Sequence, residues 1–380
     1  MAGRAQEAVL TAPAVTEREG APASPLARTR SRLRAVVAAS LRLVYVAVAL
    51  ALLILALETL KASASGLEPV LSAISASNVP GFLGVGWLGS YLALSGSPVA
   101  AVAVSLFSGG TISDTEAFAM INGSRLGASF IVLVVGFFAY LRGRRSPDGI
   151  YVGVVALIVA FTLWTPVVPI GWFVLREGWL DAVRFGSPGF VTDGIDVTFA
   201  PVVEGLDARL PDIALFALGG ALIMAAFSSF DRALPNLENP GPRFERFAAA
   251  FRRPLTMFAL GLLVTGMTLS VSLSITILVP LTLKGYVRRQ HIIPYVMGAN
   301  IATWVDTLFA ALLVNTPRAF TIVFTEMVTG AAVSLFVLSV AYGPYRRAVL
   351  WAAHRATSSR TGFVAFLGAL TVLPLGLLLA

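Results

Sequence analysis

Asn300, Thr303 and Asp306 stand in succession inside an apolar stretch, "MGANIATWVDT" at residues 297 to 307, which runs on into "LFAALLV". At i, i+3 and i+6 they share roughly one face of a helix and form a polar stripe. An aspartate near the middle of a bilayer costs about 2.5 to 3.5 kcal/mol on an insertion scale. Asp306 therefore demands a partner or a cavity.

Two small hydroxyl-rich interruptions accompany the stripe: "LSGSP" at residues 94 to 98, with Ser95 and Ser97, and "TLSVSLSIT" at residues 268 to 276, with Ser270, Ser272, Ser274 and Thr276. Gly96 and Pro98 break a helix, freeing backbone groups that must be satisfied at membrane depth. Helix N-termini and hydroxyls at such a tip suit an oxyanion; exposed carbonyls and hydroxyls suit a hard cation such as sodium. The competing reading has each serine bonding back to its own helix or easing close helix packing. Ser124 and Arg125 lie in a third stretch, "AMINGSRLGAS" at residues 119 to 129. A buried arginine beside hydroxyls either grips a tetrahedral anion or pairs with Asp306 or Glu326.

The composition restricts what can position these groups. Of 380 residues, 57% are hydrophobic and 13% charged, with a mean hydropathy of +0.83. Soluble domains average about 25% charged residues, so the chain is expected to be an all-α polytopic membrane protein. The absence of cysteine removes disulfides, iron–sulfur clusters and thiolate zinc. Two histidines far apart in sequence, His291 and His354, offer no transition-metal site, and no nucleophile or carboxylate pair accompanies His291, so no enzyme is expected. No cofactor is expected other than sodium as a coupling ion. The net charge of +8 resides in short basic segments between apolar runs, the pattern of cytoplasmic loops rather than of a nucleic-acid surface.

Residues 1–34 read as a disordered basic cytoplasmic tail. The run at 35–60 exceeds the roughly 7 to 15 residues of a signal-peptide core and reads as a first spanning helix. Further spans are expected near 115–140, 150–175, 213–230, 291–314, 319–342 and 361–380. The segments near 80–109 and 254–283, at about 30 residues, exceed one span of about 20 and fall short of two; each reads as a re-entrant helical hairpin. The first repeat half is thus 35–175 and the second 213–342, with an acidic extracellular loop at 176–212 and, at 343–380, a basic cytoplasmic segment and a C-terminal transmembrane helix. Loop charges place the N-terminus in the cytoplasm of a multi-pass protein of the cell membrane and turn the two halves upside down to each other.

A shift of 175 positions supports the repeat. It superposes Leu94, Ser95, Ser97, Val104, Leu106, Gly110 and Gly123 on Leu269, Ser270, Ser272, Val279, Leu281, Gly285 and Gly298 without a gap. Ungapped register with opposed orientation is the signature of inverted-repeat secondary transporters.

"GANIATWVDT", with "ILVPL" and "IIPYV" ahead of it, resembles the glycine-alanine-asparagine-isoleucine-glycine-threonine segment of the type II sodium/phosphate cotransporter family. That family has two inverted repeats, each with a glutamine-serine-serine-serine motif at a hairpin tip. The resemblance spans roughly residues 50 to 340 and sets those motifs on residues 94–97 and 269–272. Leu94 and Leu269 replace both glutamines, Gly96 and Val271 replace middle serines, Ala302 replaces a glycine, and Asp306 stands where a hydroxyl residue is usual. The resemblance implies a sodium-coupled symporter of phosphate or a related oxyanion. Ser95, Ser97, Arg125, Ser270, Ser272, Ser274, Asn300 and Thr303 would contact the substrate, and Ser124, Thr276 and Asp306 the cation. The alternative is a non-transporting scaffold or sensor that keeps the fold. The oligomeric state is left open.

Overall fold

A computed structural model describes residues 25–67, 69, 78–141, 148–233, 253–268, 271–276, 278–283 and 287–380. Among them the chain is helical and has no strand. Seven helices are long and apolar enough to cross a membrane, which makes the chain an all-α membrane protein.

The first half opens with α1 (Pro25–Ala62) and continues through α2 (Val79–Ala93), α3 (Ser97–Ser108), α4 (Asp114–Ala128), α5 (Phe130–Leu141) and α6 (Asp148–Arg176). The chain then passes through α7 (Gly189–Asp207) and α8 (Asp212–Ala233). In the second half, α9 (Pro254–Thr268), α10 (Val271–Thr276) and α11 (Leu278–Leu283) precede α12 (Arg289–Ala302), α13 (Trp304–Leu313) and α14 (Pro317–Phe336). A π turn at Val337–Ala341 leads into α15 (Tyr342–Thr357), and α16 (Arg360–Leu378) follows.

Local chemistry sets several of these ends. Asn78 caps α2 by accepting from the Gly81 N–H at 2.8 Å, and Pro80 fits its first turn. Leu94 closes α2 in the left-handed region at φ 51°, its N–H returning to Ser90 and Tyr91 carbonyls. A side chain there is strained. Ser113 and Glu116 form a reciprocal capping box at the start of α4.

The 175-residue shift relates several helix bounds and glycine contacts. It carries the ends of α2, Val79 and Ala93, onto those of α9, Pro254 and Thr268, and the start of α4 onto that of α12. It also carries contacts. A Cβ on Gly86 would collide with the Met120 carbonyl, and one on Gly123 with that of Leu83; at the shifted positions Gly261 meets Tyr295 and Gly298 meets Phe258. In both copies, glycine lets the first hairpin helix touch the backbone of the helix after the hairpin.

The halves interlock. α3 packs on α13 of the second half, while α10 packs on α5 of the first; likewise α4 meets α14 and α12 meets α6. One apolar core accordingly joins α1 to α4 with residues of α13 and α14, and the other joins α5 and α6 with α9 to α12. Trp87, Trp164 and Trp304 lie in a third cluster.

Three expectations change. The helix α1 takes in residues 25–34, assigned above to the disordered tail; their alanine, leucine and arginine residues are good helix formers and join the apolar run directly. The stretch 176–212 is not a plain loop but carries α7, which buries Ile195 and Val203 and packs on α1. The spans expected near 115–140 and 291–314 are present as Asp114–Phe138 and Arg289–Leu313, and what was not foreseen is a one-residue interruption in each, at Ser129 and Thr303. The basic residues after 342 ride on α15, and α16 packs on α2, where Tyr91 donates to the Leu370 carbonyl at 3.1 Å.

Candidate functional site

Arg125 sits in the last turn of α4 with 2% of its surface exposed. Its Nε donates to Glu326 Oε1 at 3.3 Å and its second terminal nitrogen to Thr307 Oγ1 at 2.9 Å. Thr307 passes its own proton to Asp306 Oδ1 at 3.0 Å. Arg125 is also within electrostatic reach of Asp306, as is Ser97, buried in the first turn of α3. One guanidinium thus faces two buried carboxylates from different helices, α13 and α14. Glu326 is fully buried, and a carboxylate there is sustained only by a partner of opposite charge.

The hydrogen-bond inventory is incomplete at this cluster. Asp306 Oδ2, Glu326 Oε2, Asn300 Nδ2 and Trp304 Nε1 make no hydrogen bond of good geometry, although Ser97 faces Asp306 and the Trp304 indole faces Glu326. Buried polar atoms are nearly always paired, so these four within a few turns of α12 to α14 call for a water, an ion or a ligand.

The arrangement is built once. The shift of 175 relates Arg125 to Asn300 and Glu326 to Tyr151, whose ring instead receives the Arg289 guanidinium at 4.4 Å.

No family model, curated protein or solved structure matches the chain. The likeness to the cotransporter segment therefore rests on the residues quoted above.

Of the residues singled out from sequence, Ser97, Arg125 and Asp306 come together, with Asn300 two turns back along the α12–α13 segment. Ser124 and Thr303 bond back to the carbonyls of Ile121 and Asn300, both at 2.7 Å. Ser274 is tied within the second hairpin, taking the Thr265 hydroxyl proton at 2.6 Å and lying 2.9 Å from the Tyr295 hydroxyl. Ser95 is half-buried at the tip, its N–H donating to Ser90 O. Ser270 lies outside the described residues, as do the side chains of Ser272 and Thr276, whose backbone belongs to α10.

Arg125 is not an open fork but an ion-paired one, the second of the two roles the sequence left open. Thr307 and Glu326 were not assigned to the site from sequence. Glu326 had a signal: it is the single acidic residue in the apolar helix α14.

The apolar pocket of 670 Å³ lined by Leu83, Trp87, Leu126, Phe161, Val372 and Leu377 lies beside this cluster, between α2, α6 and α16. Its lining suits hydrocarbon rather than an ion.

Proposed function

We propose that the protein is a secondary transporter of the cell membrane that couples sodium entry to uptake of phosphate or a related oxyanion. The observation that carries this reading is the buried Arg125–Asp306–Glu326 cluster, in which two carboxyl groups share one guanidinium and several polar atoms lack a hydrogen bond of good geometry. An intramembrane carboxylate without a full partner is expensive, and a bound cation offsets that cost. The N–H groups of Asn300 and Trp304 suit oxyanion oxygens.

Architecture favours the same reading. The hairpin helices α2 and α9 have 15 residues each, about 22 Å at 1.5 Å per residue, against a hydrocarbon core of about 30 Å. They are read as re-entrant hairpins entering from opposite sides, in two inverted repeats, with the N-terminus in the cytoplasm as the basic loops require. Alternating access is then a rocking of the interlocked halves about the cluster.

A second reading, a scaffold that keeps the fold without transport, draws on Ser124, Ser274 and Thr303, whose hydroxyls are spent on internal bonds. Thermal melting of the detergent-solubilised protein separates the two. A ligand that prefers the native state stabilises it by about 2.7 kcal/mol at a hundredfold excess over its Kd. Sodium and phosphate together are expected to raise the melting temperature by several degrees over choline and chloride. An unchanged temperature across sodium, phosphate, sulfate and arsenate favours the scaffold.

A further inference from the structure

Arg125 supplies one positive charge to two carboxyl groups, so the cluster is neutral when one of them holds a proton or a monovalent cation. The under-bonded atoms fall into two chemical kinds. Glu326 Oε2 and Asp306 Oδ2 are acceptors, and Asn300 Nδ2 and Trp304 Nε1 donors, that make no hydrogen bond of good geometry, although the Trp304 indole faces Glu326 and Ser97 faces Asp306. All four residues are more than nine-tenths buried. Carboxylate oxygens on two facing helices suit a hard cation, which takes oxygen ligands; the N–H groups suit the oxygens of an anion. A single ligand of either sign leaves half of them unsatisfied.

We infer that Arg125 is an internal stand-in cation that sodium displaces. Sodium seated between Asp306 and Glu326 takes over the neutralisation of Glu326, and the released guanidinium turns, with the N–H groups of Asn300 and Trp304, to the oxyanion. The inference rests on the transporter reading and deepens it: Glu326 becomes the second sodium ligand, and anion binding becomes conditional on sodium. Without sodium, Nε is held by Glu326 and one terminal nitrogen by Thr307, so the bidentate face that grips an oxyanion is occupied. Coupling through a shared group is reciprocal, so phosphate tightens sodium binding by the same factor that sodium tightens phosphate binding. The equivalent positions hold Asn300 in the second half and Tyr151 in the first, so the exchange has no counterpart at those positions.

The test is equilibrium binding of labelled phosphate to the purified full-length protein in lipid nanodiscs, across a sodium series balanced with choline. Wild type is expected to show a sodium enhancement within the usual range of about 5- to 150-fold. Glu326→Gln keeps the side-chain size but loosens the hold on Arg125. It is expected to bind phosphate in choline alone, with a sodium factor near one. Glu326→Asp retains the charge and is expected to retain the sodium factor. A wild-type sodium factor in Glu326→Gln overturns the exchange while leaving the transporter reading intact. Wild-type protein that is folded yet binds neither ion overturns both. If Glu326→Gln does not purify folded, Arg125→Gln/Glu326→Gln removes both charges together. This pair is expected to bind sodium at Asp306 but no phosphate at any sodium concentration, and phosphate binding by it overturns the inference.

Discussion

Arg125→Gln is expected to cost about 3 to 5 kcal/mol of stability, the usual effect of leaving a buried charge without its partner. Two carboxylates depend on this guanidinium, and Glu326 has no exposure to water. Arg125→Lys is expected to recover only part of the loss, because a single ammonium does not reproduce the planar fork that reaches Glu326 and Thr307 together. Adding Glu326→Gln to Arg125→Gln is expected to restore much of it, since the pair is then removed as a unit. Denaturation in detergent, read as a double-mutant cycle, measures this; strictly additive losses contradict the paired cluster.

The second large effect concerns the repeated glycines. Gly261→Val is expected to cost at least about 3 kcal/mol, since even a Cβ at this site overlaps the Tyr295 carbonyl, which is backbone and has nowhere to go. Gly86→Val is expected to behave alike against Met120, because the two contacts are one contact repeated. Gly220 in α8 has nothing within 4 Å of an added Cβ, and Gly220→Ala is expected to be neutral or stabilising by up to about 1 kcal/mol. Yields of folded protein after size-exclusion chromatography rank the three; a well-folded Gly261→Val contradicts the close helix contact.

Much of the fold was legible because apolar length and glycine spacing are local properties of sequence. The runs near 80–109 and 254–283, too long for one helix and too short for two spans, correspond to α2–α3 and α9–α11. The 175-residue shift was visible in a few identities, and Gly123 and Gly298 became interpretable once their partner carbonyls were seen. What escaped was governed by distant packing. The helix α7 is weakly apolar, includes Pro201, and gains its hold from α1, more than 100 residues away in sequence. The break at Thr303 has no adjacent proline or glycine to announce it, and the one at Ser129 only Gly127.

The site was legible to the extent that a charged residue in an apolar run is conspicuous. Arg125 and Asp306 stood out for that reason, and their proximity is set by the reciprocal packing of α3 on α13 and α4 on α14. Serines gave a poorer signal. A hydroxyl in a helix is equally content with the carbonyl three or four residues back, and Ser124 and Thr303 take that option. Glu326 illustrates the converse: the sequence offered it as one of two counter-ions for Arg125, and the packing of α14 on α4 brings the two together.

Uptake of labelled phosphate into proteoliposomes, with and without an inward sodium gradient, tests the central claim most directly. Uptake that requires the gradient, and that Asp306→Asn abolishes while the protein remains folded, is the result expected. Equal uptake with and without the gradient contradicts sodium coupling through this cluster. No uptake of phosphate, sulfate or arsenate by correctly inserted protein contradicts oxyanion transport.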